Sequence, residues 1–120
     1  MKLQLQGQNM RLRIDESELA HLLAGEAVTN QTQLGSTHGF SQVLTLGGQV
    51  MPTLVMREGD WHIALPHAEV AAYVEQLPCR HALAFEVAMD AGPPLDVGFE
   101  VDIRDSLQAR GPRRRQASPD

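Results

Sequence analysis

Few residues in this chain are placed to do chemistry, and those that are sit at alternating positions in short apolar runs. There is no Walker loop, no His-Glu-x-x-His, no Cys-x-x-Cys, no dinucleotide fingerprint and no Gly-x-Ser-x-Gly. Arg11 and Arg13 lie either side of Leu12, Glu100 and Asp102 lie either side of Val101, and Arg57 and Glu86 fall in two further runs of the same kind. Period-two alternation puts such side chains on one face of a strand and the apolar ones on the other. If the strands curl so that the charged face encloses a channel, Arg11, Arg13 and Arg57 could hold an anion. A divalent metal on Glu86, Glu100 and Asp102 could then bridge to its phosphates. On an open sheet the same residues are a solvated, ion-paired surface, which is the commoner outcome. No residue is assigned a catalytic role.

Other reactive side chains give less. Of the five histidines, His62, His67 and His81 are the best-placed trio, but no ligand spacing links them. Cys79 follows Pro78 beside Arg80 and His81, neighbours that lower a thiol pKa, although a semi-buried inert thiol is the simpler reading. Gly35-Ser36-Thr37-His38-Gly39 brackets a Thr and a His between glycines. No helical pattern follows as a nucleophile elbow requires, so it reads as a loop.

The elements that must position these residues are easier to see. Lys2 to Gln6 alternates and Gly7-Gln8-Asn9 turns, so Met10 to Ile14 returns as the second arm of a hairpin. Asp15 stands at an N-cap position with Glu18 three residues on, the capping-box spacing, and Leu19, Leu22 and Leu23 give the helix from Glu16 to about Ala24 an apolar stripe ended by Gly25. Strands are expected over 28–34, 40–46, 53–57 and 61–65. A second helix then starts after Pro66, carries Val70, Tyr73, Val74 and Leu77 on one side, and stops at Pro78. Strands over 81–89 and 95–103 complete the chain, the last alternating most cleanly.

This order is strand-strand-helix-strand-strand, twice. Shifting by 51 positions lays Met10, Leu12 and Ile14 on Trp61, Ile63 and Leu65, and Leu19, Leu22 and Leu23 on Val70, Tyr73 and Val74. Two ordinary strand-to-helix units could match this well by chance, yet the agreement of pattern favours an internal repeat, about 2–46 and 53–104.

The chain has 120 residues, enough for one domain and short for two, and its 42% hydrophobic content with 4% aromatics implies an aliphatic core. Its net charge of −5 argues against a nucleic-acid partner. The four arginines after residue 109 form a basic segment, 110–120, that reads as a disordered tail beyond a domain of 1–109. A single cysteine allows no internal disulfide, and no apolar run approaches a membrane span, so a cytoplasmic protein with no membrane partner is the expectation. An unpaired strand edge could hold a second copy as a homodimer.

Two resemblances follow from these residues. The opening, Met1 to Ile14 followed by Ser17-Glu18-Leu19, is similar to a family of short bacterial proteins of unknown function. They begin with a Lys-hydrophobic-Arg strand, a Gly-Asn-Ser turn and an Arg-Leu-Arg-Leu strand. Members end in a Lys-Asp-Phe-x-Cys-Leu segment and an acidic tail, where this chain has Val101-Asp102-Ile103, Leu107 and a basic tail. The repeated order of elements also resembles the triphosphate tunnel (CYTH-like) fold, an eight-stranded barrel that binds or hydrolyses phosphorylated ligands with a divalent metal. Gln4 and Gln6 stand where that family's acidic signature would be, so no catalytic residue carries over.

The expected fold is therefore α+β, with two ββαββ repeats forming a curved antiparallel sheet or a small eight-stranded barrel and two external helices. The expected function is a small non-enzymatic binding or accessory protein with no cofactor. The alternative is a tunnel-type protein acting on a phosphorylated small molecule, the one reading that calls for a divalent metal.

Overall fold

The structure, a computed structural model, describes residues 1–103, the side chain of His38 excepted. Its elements are β1 (Lys2–Gln6), β2 (Asn9–Asp15), α1 (Glu16–Leu23), β3 (Val28–Leu34), β4 (His38–Gly47), β5 (Thr53–Arg57), β6 (Asp60–Pro66), α2 (His67–Val74), β7 (Leu83–Val87) and β8 (Leu95–Asp102). The fold is α+β, and the order of elements is the one expected. Differences lie at the ends: α2 stops at Val74 rather than Leu77, and β7 is shorter than the run 81–89. The expected basic tail, and residues 104–109 of the expected domain, lie outside the described residues.

Strand pairing departs from expectation. The strands form two four-stranded sheets, β1-β2-β8-β7 and β3-β4-β6-β5, and among the described residues they do not close into one barrel. Nor is either sheet purely antiparallel: each joins two antiparallel hairpins through a parallel central pair, β2 with β8 and β4 with β6. The central strands carry most of the buried apolar residues. In β2, Met10, Leu12 and Ile14 are buried and the residues between them exposed. Such strands gain most from neighbours on both sides, which leaves β1, β7, β3 and β5 at the edges.

The apolar faces of both sheets and both helices share one core. At its centre Leu12 is paired with Phe99 and Leu44 with Ile63, and none of the four is more than 2% exposed. Since burying arginines and carboxylates without full compensation costs several kcal/mol per ion by rough estimate, the apolar face of each sheet turns inward and the charged face outward. With no closed barrel among the described residues, the charged face is an outer, solvated surface, the commoner of the two outcomes weighed from the sequence.

Local chemistry sets the helices. Asp15 caps α1: its Oδ1 accepts from the Glu18 amide at 2.7 Å, while Glu18 Oε1 accepts from the Asp15 amide at 3.0 Å. Leu19 and Leu22 are buried, and α1 packs against strands of both sheets. Leu23, expected inside, is 38% exposed: it is the last residue of α1, next to the C-cap Ala24, at the edge of the stripe that Leu19 and Leu22 define. On α2 the buried residues are Val70 and Tyr73, with Val74 only partly covered. The Tyr73 ring meets Phe99 edge-on, centroids 6.2 Å apart, and its hydroxyl donates to the His81 carbonyl at 2.8 Å.

Registers relate the two halves. The hairpin pair Leu3 with Leu12 has a counterpart in Leu54 with Ile63 (63 − 12 = 51), and the eight residues of α1 and of α2 differ by the same offset. The pair Val28 with Leu44 corresponds to Leu83 with Phe99 at a second offset (99 − 44 = 55). The two offsets differ by four residues, inserted between α2 and β7.

Candidate functional site

The structure puts most of the sequence-derived site residues on one surface. Arg11 and Arg13 project from the outer face of β2, and Glu100 of β8 lies opposite Arg13 in register. Arg11 Nε is 3.2 Å from Glu100 Oε2. Glu86 is on β7 opposite Asp96, and Asp102 closes β8 opposite Asp15. Arg57 is not with them: it ends β5 in the other sheet, opposite Asp60. Among the described residues no three of the His, Cys, Asp and Glu side chains are grouped so as to hold a metal ion, so neither the three carboxylates nor His62, His67 and His81 make a ligand set. Cys79 is an exposed free thiol.

Beside Arg11 the outer face dips into a trough of about 330 Å³. Its floor is low because Gly98, between Arg11 and Ala84 in register, has no side chain, and Ala82 and Ala84 have short ones. Gln4, Gln6 and Asp96 form the rim. The trough is open to water, and Arg11 is already engaged by Glu100, so an incoming anion would compete with a carboxylate.

A second concavity enters between the sheets, and the charged alternation gave no sign of it. It measures about 380 Å³ and lies where the edge strands β1 and β3 face the same gap. Leu3 and Leu5 line it from β1, Asn30 and Thr32 from β3. The remaining walls are Phe40 and Gln42 of β4 and Trp61 of β6. None of these side chains is charged. Asn30, Gln42 and Trp61 occupy one row across the second sheet, since Asn30 pairs with Gln42 and Gln42 with Trp61. Gln42 is 2% exposed, and its Oε1 accepts from Asn30 Nδ2 at 2.8 Å.

Comparison with the other sheet explains the opening. The corresponding row of the first sheet is Phe85, Val97 and Met10, all buried apolar residues. Val87 and Leu95, matching Thr32 and Phe40, are buried as well. One sheet closes this layer with hydrocarbon, while the other places two carboxamides, a hydroxyl and two half-buried aromatic rings there. A carboxamide in a core position is costly unless it is hydrogen-bonded, and the Asn30 bond meets part of that requirement. The sequence signal was Gln42 itself: a polar residue at an inward position of β4, between Phe40 and Leu44.

Titration is perturbed at one residue of the adjoining core. Burial raises the Tyr73 pKa above its ordinary value of 10.0, with the nearby Cys79 and Glu100 charges acting in the same direction. No helix of the described residues is long and apolar enough to cross a membrane. No family model matches the chain, and neither a curated protein nor a solved structure matches it.

Proposed function

We propose that this protein is a small, non-enzymatic cytoplasmic binding protein whose site is the cleft between β1 and β3. The observation that carries the reading is the Asn30–Gln42 amide pair, with Gln42 buried and Asn30 half-buried, standing where the other half has Phe85 and Val97. A chain that can fill this layer with hydrocarbon on one side, and leaves it open and hydrogen-bonding on the other, has the features of a ligand pocket: concave, mostly apolar, with a few polar groups to orient what enters. The cleft holds no carboxylate, histidine or thiol that could act as acid, base or nucleophile, which is why binding is preferred to catalysis. In the same reading the chain is a duplicated ββαββ unit, supported by the register offsets of 51 before the helices' ends and 55 after them, and the site arose where the two copies diverged.

The test is a thermal-shift screen of small molecules against the wild type and against a filled variant, Asn30→Phe/Thr32→Val/Gln42→Val, which copies the other half's residues. A ligand present at a hundred times its Kd adds about 2.7 kcal/mol, a rise in Tm of roughly 10 °C or more for a domain of this size. Ligands of this cleft should shift the wild type, leave the filled variant unmoved and be recovered unchanged. Hits that move both proteins equally would place binding elsewhere.

Self-association is a second reading, favoured by β5. This edge strand carries Val55 and Met56, 42% and 64% exposed, and follows the exposed Val50 and Met51. It has neither the proline nor the lysine that commonly blunt an edge. Sedimentation velocity should show a concentration-dependent dimer that Val55→Lys abolishes; a strict monomer at high concentration removes this reading.

A further inference from the structure

We infer that the cleft takes a neutral, planar aromatic molecule, held flat against Trp61 and Phe40 with a polar edge turned toward the Asn30–Gln42 carboxamides. This rests on the reading of the cleft as the binding site and goes beyond it by naming the ligand class.

The choice follows from what lines the space. No lining side chain is charged, so nothing there would compensate an anion or cation for its lost hydration, and a charged ligand would enter at a penalty. Trp61 and Phe40 are only half-buried, while their register counterparts Met10 and Leu95 are closed off, so two aromatic surfaces stand exposed to the gap. Aromatic rings prefer offset-stacked or edge-to-face partners, which a flat ligand supplies and a branched aliphatic one does not. Leu3 and Leu5 cover the side of the gap facing them, and Leu5, although on the inward side of β1, is 51% exposed. Seating a ligand beneath it removes that apolar surface from water, which favours binding.

The carboxamides fix orientation. The Asn30 Nδ2 to Gln42 Oε1 bond engages one lone pair of a group that carries two N–H donors and an oxygen with two lone pairs. A ligand with a ring nitrogen or an amide on one edge would meet further donor and acceptor capacity at the base of the cleft. A featureless hydrocarbon would not. The cleft volume of about 380 Å³ is of the size that holds two or three fused or linked rings.

Trp61 is the chain's single tryptophan and lines the site, so the protein carries its own reporter. The probes are N-phenyl-1-naphthylamine, which is neutral, and 8-anilino-1-naphthalenesulfonate, the same rings with an anionic sulfonate. Excitation of Trp61 should give sensitised emission from the neutral dye, with a Kd at least tenfold lower than that of the sulfonate. The filled variant Asn30→Phe/Thr32→Val/Gln42→Val should weaken the neutral dye at least tenfold. Trp61→Met, which copies Met10 and needs no extra volume, should do the same when binding is read by calorimetry, so the result does not depend on the filled variant alone.

If the sulfonate binds as tightly as the neutral dye and the filled variant loses both, the cleft is a binding site but the ligand class is wrong. If a folded filled variant and Trp61→Met bind both dyes as the wild type does, the dyes sit elsewhere and the reading of the cleft fails with the class.

Discussion

Gln42 holds in the second sheet the register position that Val97 holds in the first, and both side chains are 2% exposed. Their surroundings differ, however. Gln42 has Asn30 across one strand and Trp61 across the other, whereas Val97 has Phe85 and Met10. The reciprocal substitutions should therefore be unequal. Val97→Gln buries an amide among side chains that offer no strong hydrogen-bond partner and should cost about 2–4 kcal/mol. Gln42→Val removes one amide and leaves Asn30, which is only half-buried, able to reach water, so it should change stability by less than about 1 kcal/mol. Denaturant unfolding of the two variants checks this, and equal losses would mean that Gln42 is a structural residue rather than one retained for a ligand.

Helix packing yields the second prediction. Leu22 and Val70 are fully buried on α1 and α2, while Val74 is only partly covered. Leu22→Ala should cost about 2–5 kcal/mol, with Val70→Ala next and Val74→Ala clearly below both. Chemical denaturation gives the order, and a loss for Val74→Ala as large as that for Leu22→Ala would place α2 at a different rotation.

Removing the α1 cap is the third. Asp15 accepts from the Glu18 amide, so Asp15→Ala should destabilise by about 1 kcal/mol, whereas Asp15→Asn, which keeps an accepting oxygen, should lose only a fraction of that. Equal losses in thermal denaturation would assign the effect to charge rather than to the cap.

Much of this arrangement could be read from residue types because it is local. Period-two runs such as Met10 to Ile14, and the Asp15-x-x-Glu18 box, specify their elements within a few residues, and the structure places them as expected. Pairing is different. Nothing within β2 says that its second neighbour is β8 in parallel, because that choice depends on which remote strand also has a continuous apolar face. The same limit hides the candidate site. Charged residues advertise themselves, yet Arg11, Arg13 and Glu100 face water, and Arg57, grouped with them by alternation alone, lies in the other sheet. Gln42 breaks the alternation of β4 between Phe40 and Leu44, but only the register, which sets it against Val97, gives that break a meaning.

The outer ion pair supports the fourth prediction. The Arg11 side chain is 61% exposed, and its contact with Glu100 is across solvent-accessible sheet surface. Such pairs contribute little, so Arg11→Ala should change stability by less than roughly 0.5 kcal/mol, and less still in high salt. A loss above 1 kcal/mol by denaturant titration, on the same order as a cap, would mean that the trough beside Arg11 is structurally more important than its exposure implies.

Tyr73 supplies the last prediction, through its ionisation. Its phenol lies against Phe99 and donates to the His81 carbonyl, and burial first, then the Cys79 and Glu100 charges, raise its folded-state pKa above 10.0. In the unfolded chain the phenol has its ordinary pKa near 10. Between those two values the unfolded state has released the proton while the folded state still holds it, so the unfolded state binds fewer protons and stability falls as pH rises. The contribution is therefore fully present below about pH 10 and is lost as pH climbs through the folded pKa. Tyr73→Phe removes the titrating group and with it the hydrogen bond to His81, so it should lower stability at neutral pH by about 1 kcal/mol and flatten the alkaline decline. Unfolding free energies measured from pH 8 to pH 12 for both proteins decide it: parallel curves in the alkaline range would show that the decline comes from other groups and that Tyr73 ionises in the folded protein as readily as in the unfolded chain.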